Sequence, residues 1–162
     1  MFVKRDNAKS VKEVVERNTG IPAEQFLTDI RDPYLDHLEE AVQYVKGYIR
    51  NIPGGRITVV GDYDSDGINA TTIMYWGLLK MGITPVVRVP HRMSEGYGLS
   101  EKIIDEIPSG LVLTVDNGIA AINAIKKAKD KGLSVVVTDH HQPVRDKAGN
   151  MILPEADLIV DP

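Results

Sequence analysis

The sequence predicts an α/β fold: a parallel sheet with helices on both faces, preceded by N-terminal helices. From Gly55 onward, short and nearly continuous apolar runs alternate with helical segments. Strands of that kind are covered on both faces, which is the habit of parallel sheets built through helical crossovers. Four of the runs also lead directly into a polar cluster. In a parallel sheet those positions share one edge, where the ligand crevice lies.

The elements follow in chain order. Residues 8–50 read as helical. Val11, Val14 and Val15 form a short apolar stripe, and Tyr34, Leu35, Leu38, Ala41, Val42, Val45 and Ile49 form a longer one at helical spacing. Such stripes are usually packing surfaces, and a lid over the following domain is the functional alternative. Asn51-Ile52-Pro53-Gly54-Gly55 ends this segment. The expected organisation is a helical segment at 1–54 and an α/β domain at 55–162. Strands are expected at Ile57–Val60, Val86–Val89, Leu111–Val115, Ser134–Val137 and Leu158–Val160, with helices near 67–81, 100–106 and 119–131.

Composition bounds what such a domain can do. The 162 residues, 43% apolar and 26% charged, suit one domain with a real core. No apolar run is long enough to span a membrane, and the N-terminus has no apolar signal region. Cysteine is absent, which excludes disulfides, thiolate zinc sites and cysteine nucleophiles and fits a cytoplasmic protein. The net charge of −4 argues mildly against binding polyanions unaided. Cations held by acidic side chains would reverse the local sign.

The four clusters carry the chemistry. After the first run comes Gly61-Asp62-Tyr63-Asp64-Ser65-Asp66-Gly67. Asp62, Asp64 and Asp66 alternate, so extended backbone puts them on one side. Their mutual repulsion calls for a compensating charge, and a divalent cation is the simplest. Gly67 is expected to permit a tight turn into a helix whose N–H groups could take a phosphate oxygen. Asp-x-Asp-x-Asp-Gly also opens a calcium-binding EF-hand loop, but the twelfth position would be Ile73, where a glutamate is needed, and the segment follows a strand. The blandest reading is a solvated turn with helix-capping carboxylates.

Asp116, in Thr114-Val115-Asp116-Asn117-Gly118, would alone be read as a helix cap or, beside the other clusters, as a carboxylate able to bridge two cations. Asp139-His140-His141 offers an imidazole ligand together with the acid that orients it. Oxygen and imidazole donors without thiolate favour Mn²⁺ or Mg²⁺ over structural zinc. In the second cluster, His91-Arg92, Arg92 can grip a phosphate with its planar fork, and His91 can be a ligand or contact the substrate. The competing reading is an Arg92–Glu95 ion pair within the loop.

Together, Gly-Asp-Tyr-Asp-Ser-Asp-Gly at 61–67, His-Arg-Met-Ser-Glu-Gly-Tyr-Gly-Leu at 91–99, Thr-Val-Asp-Asn-Gly at 114–118 and Asp-His-His at 139–141 resemble the DHH phosphoesterases. Within them the chain resembles the RecJ-like single-strand-specific 5′→3′ exonucleases, over about residues 27–162. The resemblance implies a parallel-sheet DHH-type domain and hydrolysis of phosphodiesters by two Mn²⁺ (or Mg²⁺) ions. It implies single-stranded DNA as substrate, a role in DNA repair and recombination, and single-strand-binding or repair proteins as partners. Carried over by motif, Asp64 binds one ion and Asp66 the other, Asp116 bridges them, and His140 joins the Asp66 ion. Asp62 is a ligand or a support near the first ion, while His91 and His141 sit at the substrate phosphate or complete the shell.

The family's pattern continues into a further acidic ligand, a connecting helix and a DHHA1 domain, and RecJ-like members add an OB-fold. None of these follows within the 162 residues. The expectation is an N-terminal part of a catalytic core, weak or inactive alone. Two other functions share parts of this pattern: a small-substrate phosphoesterase acting on oligoribonucleotides, cyclic dinucleotides or pyrophosphate, and a non-catalytic remnant that binds a partner. The four motifs are intact, which speaks against the remnant.

Overall fold

A computed structural model describes residues 10–25 and 35–161. The expected helical positions 8, 9 and 26–34, Tyr34 among them, lie outside the described residues. The chain forms two compact units, Met1–Tyr34 and Leu35–Pro162. In the first, helix α1 (Val11–Thr19) starts where Ser10 Oγ accepts from the Glu13 N–H at 3.2 Å. It stops at Gly20, whose φ of 69° caps the helix in the left-handed region. The stretch expected to be helical over 8–50 is therefore interrupted, with a short 3₁₀ turn at Ala23–Gln25 following Pro22.

The second unit opens with helix α2 (Leu38–Asn51) and then alternates: strand β1 (Ile57–Val60), helix α3 (Ser65–Lys80), strand β2 (Val86–Arg88), the single-turn helix α4 (Arg92–Glu95), helix α5 (Glu101–Glu106), strand β3 (Leu111–Val115), helix α6 (Ile122–Asp130) and strand β4 (Ser134–Thr138). A small antiparallel hairpin, β5 (Val144–Arg145) with β6 (Met151–Ile152), precedes the last strand, β7 (Leu158–Val160). The five long-range strands form one parallel sheet in the order β2-β1-β3-β4-β7.

Alternate residues of the central strands feed two cores. Val60, Val112, Val135 and Val137 pack with Ile103 and Ile104 of α5 and Ile125 and Ala128 of α6. Val59, Leu111, Leu113, Val115 and Val136 pack on the other side with Ala41 of α2 and Leu78 of α3. Both faces are thus covered, which is why β1 and β3 carry no polar alternation. Each such side chain contributes about 1.5–3 kcal/mol on burial.

Three expectations change in detail. Helix α3 begins at Ser65, two residues before Gly67, and Asp64 is its N-cap. Gly67 therefore serves close approach and not a turn: a Cβ there would lie 2.7 Å from the Asp62 Cβ. The last crossover helix begins at Ile122 because residues 118–121 turn first, with the Ala121 N–H donating to the Gly118 carbonyl at 2.9 Å.

The strand order places a switch point between β1 and β3. From β1 the chain crosses to β2 on one side, then returns past β1 to continue through β3, β4 and β7. Loops leaving neighbouring strands at such a point diverge to opposite faces and open a crevice at the strands' carboxyl ends.

Candidate metal centre

Three of the four motifs meet in that crevice. The loop after β1 brings Asp62 and Asp64, the end of β3 brings Asp116, and the end of β4 brings His140 and His141. Ligand atoms of Asp62, Asp64 and Asp116 lie within 4.8 Å of one another, and so do those of Asp116, His140 and His141. Asp116 is common to both sets. Asp66 stands further out, with its Oδ2 3.9 Å from His140 Nε2 and its side chain 68% exposed. The remaining motif, 91–99, adds no ligand atom to these sets: His91 caps α4, and its Nδ1 lies 3.1 Å from Ser94 Oγ.

Each carboxylate is held differently. Asp64 accepts from the Gly67 N–H at 3.0 Å. That bond, at the positive end of α3, is the largest cause holding the Asp64 carboxyl below its ordinary value. Asp62 has 0% of its surface exposed, and neither carboxylate oxygen has a hydrogen-bond partner among the described residues. An unpartnered buried carboxylate costs several kcal/mol unless a counter-charge meets it.

Asp116 sits at φ 61°, one of two non-glycine residues with positive φ among those described. Such a backbone costs about 1–3 kcal/mol and collects at functional sites. It is held there by its own N–H donating to the Thr138 carbonyl at 2.9 Å. Burial, followed by the charge of Asp66, raises the Asp116 carboxyl above its ordinary value. One of its oxygens lies 2.9 Å from His140 Nε2, while the other is buried without a partner.

Asp139 organises the histidine pair. Its Oδ1 accepts from the N–H groups of His140 at 2.8 Å and His141 at 3.2 Å, and from His141 Nδ1 at 2.7 Å. Its Oδ2 accepts from the Ile119 N–H at 2.9 Å. The acid thus supports His141, leaving His140 to face Asp116. The Asp139 bond is also the largest cause raising His141 above its ordinary value.

Arg92 and Glu95 are not paired. The single turn of α4 carries Glu95 back to β2, where it meets Arg88 at 2.5 Å and accepts from the His91 N–H at 2.8 Å. Arg92 makes no ion pair among the described residues and stacks its guanidinium over the Tyr63 ring, 5.3 Å from the centroid.

Two residues inside the motifs had no role assigned to them from the sequence. Asn117 is fully buried: its amide donates to the carbonyls of Val60 at 3.0 Å and Val115 at 2.9 Å, and its oxygen accepts from the Leu99 N–H at 3.0 Å. Tyr97 reaches His141. Asn117 had a visible signal, an amide directly after a buried strand, but that signal equally marks a helix cap.

The donor set fits divalent cations. All donors are carboxylate oxygens or imidazole nitrogens, three buried carboxylate oxygens have no other partner, and two ligand sets share one residue. Among the described residues no helix is long and apolar enough to cross a membrane.

Comparison with known proteins agrees with this arrangement. The family model for the DHH family, N-terminal domain, matches residues 56–161. The single-stranded-DNA-specific exonuclease RecJ of Bacillus subtilis is 36% identical over 138 residues, covering 83% of this chain and 16% of that protein. RecJ of Escherichia coli is 36% identical over 132 residues, covering 79% and 22%. The crystal structure of exonuclease RecJ bound to manganese superposes with a TM-score of 0.68 at 35% identity, covering 80% of this chain and 32% of that one. RecJ in complex with Mn²⁺ from Thermus thermophilus gives 0.66 at 28%, covering 93% and 21%. This chain therefore spans less than a quarter of the length of these curated relatives. With a parallel sheet, a carboxylate–histidine crevice at its switch point and a family match over residues 56–161, the chain belongs to the DHH family.

Proposed function

We propose that this chain carries the cation-binding part of an exonuclease that hydrolyses single-stranded DNA in the 5′→3′ direction, with two Mn²⁺ or Mg²⁺ ions. Asp62 carries the reading: a fully buried carboxylate with no hydrogen-bond partner, grouped with Asp64 and Asp116. The names of the relatives support the substrate class, and manganese in the similar structures supports the metal. Residues 1–54 would form a helical segment and residues 55–162 the DHH domain.

Asp62, Asp64 and Asp116 would hold one ion, and Asp66, Asp116 and His140 the other. Bound there, divalent cations acidify water and neutralise charge that builds on a phosphoryl group. The chain's own groups supply the rest. Asp116 is presented to both ligand sets by its strained backbone. His140 faces Asp116, and its imidazole adds a neutral donor to an otherwise anionic set. His141, held by Asp139, would line the side of the site that faces the substrate phosphate. Arg92 has no carboxylate partner among the described residues and can clamp a phosphate, with His91 beside it.

The decisive substitution is Asp116→Ala in the whole protein. Mn²⁺-dependent release of nucleotides from a 5′-labelled single-stranded oligonucleotide should fall on the order of 10³-fold or more, since one residue serves both cations. Activity within tenfold of wild type would sink the two-cation reading.

A further inference from the structure

The loop between β2 and α5 is tied down at three places. Glu95 is pinned to Arg88 and to the His91 N–H. The Leu99 N–H is received by the buried Asn117, which is itself bonded to β1 and β3. Gly98 completes the closure: its φ is +59°, and a Cβ there would lie 2.9 Å from the Asn117 Cβ. Tyr97 lies between these ties. Its ring sits edge-on to Tyr63, centroids 6.3 Å apart, and edge-on to His141, centroids 5.5 Å apart. Its hydroxyl oxygen lies 2.9 Å from His141 Nε2, 3.2 Å from His141 Nδ1 and 3.3 Å from the Asp116 carbonyl.

The chemistry of the partners assigns the protons. Asp139 Oδ1 already accepts from two backbone N–H groups, as an ionised carboxylate does. His141 Nδ1, at 2.7 Å from that oxygen, must therefore be the N–H nitrogen. In the neutral imidazole Nε2 is then an acceptor. The tyrosine has one proton to give, and Nε2 is nearer than the Asp116 carbonyl and better placed than the proton-bearing Nδ1.

We propose that Tyr97 is a positioning residue of the candidate centre: its hydroxyl donates to His141 Nε2 and, with Asp139 on Nδ1, holds that imidazole in one tautomer and orientation beside Asp116. The inference deepens the hydrolytic reading and rests on it for its catalytic consequence. Both ring nitrogens of His141 are engaged by protein groups. That separates its role from the role of His140, whose Nε2 points at Asp116 and whose ring makes no such pair of bonds among the described residues. The His141 imidazole is thereby fixed beside Asp116, and the loop bearing Arg92 and Tyr97 is tied to the candidate cation site.

The test begins without metal or substrate. In the full chain labelled with ¹⁵N-histidine, held in chelator at pH 8.5, long-range imidazole correlation spectra should show His141 with a protonated Nδ1 and a hydrogen-bonded Nε2. In Tyr97→Phe, which keeps the ring, Nδ1 should stay protonated while Nε2 shifts downfield to the position of a free acceptor. In Asp139→Asn the preference for protonated Nδ1 should weaken. In the whole protein, Tyr97→Phe should lower kcat for a single-stranded oligonucleotide about tenfold, the scale of one lost hydrogen bond, with KM changed less than twofold. A circular dichroism spectrum and melting curve like wild type would accompany these changes. An Nε2 resonance unmoved by Tyr97→Phe overturns the proposal, as does a KM rise without a kcat loss. The expected spectra in a protein that hydrolyses no DNA would overturn the exonuclease reading and leave the assignment of Tyr97 intact.

Discussion

Asp62 and Asp116 illustrate two ways in which one residue type can store unfavourable free energy. Asp62 stores it in solvation, as a buried carboxylate with both oxygens unpartnered. Asp116 stores it in the backbone, at φ 61°. Neither is what stability alone would select: a bound cation would offset the first directly, and the second would stay as the cost of presenting the Asp116 carboxylate. The two can be separated by Asp62→Asn, which removes a charge and keeps the shape. In chelator this variant should be more stable than wild type by about 1–3 kcal/mol, the scale of an uncompensated buried group. Its affinity for Mn²⁺ should be weaker. Thermal unfolding in EDTA, with calorimetric titration of Mn²⁺, checks both. A variant less stable than wild type in EDTA would show that Asp62 is already compensated by the protein.

At the scale of elements, the loop carrying Arg92 and Tyr97 depends on an ion pair. Arg88, on β2, holds the Glu95 carboxyl down to about 2, helped by the His91 N–H. The carboxyl is easier to ionise in the folded protein than in an unfolded chain. Its contribution is therefore fully present above the ordinary carboxylate range and is lost as pH falls from that range toward about 2. The expected result is a Tm for Glu95→Gln below wild type at pH 7, with the gap closing as pH falls through 4 toward 2. A gap independent of pH would show that shape, and not charge, anchors the loop. The same turn explains what was illegible in the sequence. Glu95 lies three residues from Arg92 and looked like its partner, but α4 reverses the chain and delivers Glu95 to a strand residue seven positions back. The hairpin of β5 and β6 also escaped, because strands of two residues carry no period to read.

For the whole molecule, the legible part was what repetition encodes. Ile57–Val60 and Leu111–Val115 are buried throughout, so their composition announced strands covered on both faces. The meeting of motifs after β1, β3 and β4 followed from the edge rule for parallel sheets. What the rule could not supply was strand order. Only with β1 beside β3 and β3 beside β4 do three motifs adjoin, while His91, after the edge strand β2, is left outside the ligand sets. The assembled crevice makes a thermodynamic prediction. Mn²⁺ at one hundred times its Kd should stabilise the fold by about 2.7 kcal/mol, a rise in Tm of roughly 5–10 °C that EDTA reverses. No shift in Tm would mean that the carboxylates gather without binding an ion.

The strand order also has a consequence in time. β1 sits between two partners that come later in the chain, and its pairing with β3 spans α3, β2, α4 and α5. Helices α3 and α6 can form locally within microseconds, but the β1–β3 junction needs a long loop to close first. The residues that gather there, Asp62, Asp64 and Asp116, are therefore brought together in the slow, non-local step of folding. A helical intermediate that lacks this junction has no cation site. A cation bound there would then act on the unfolding rate of the finished domain, slowing escape from the native basin, and would leave the rate of entry into it nearly unchanged.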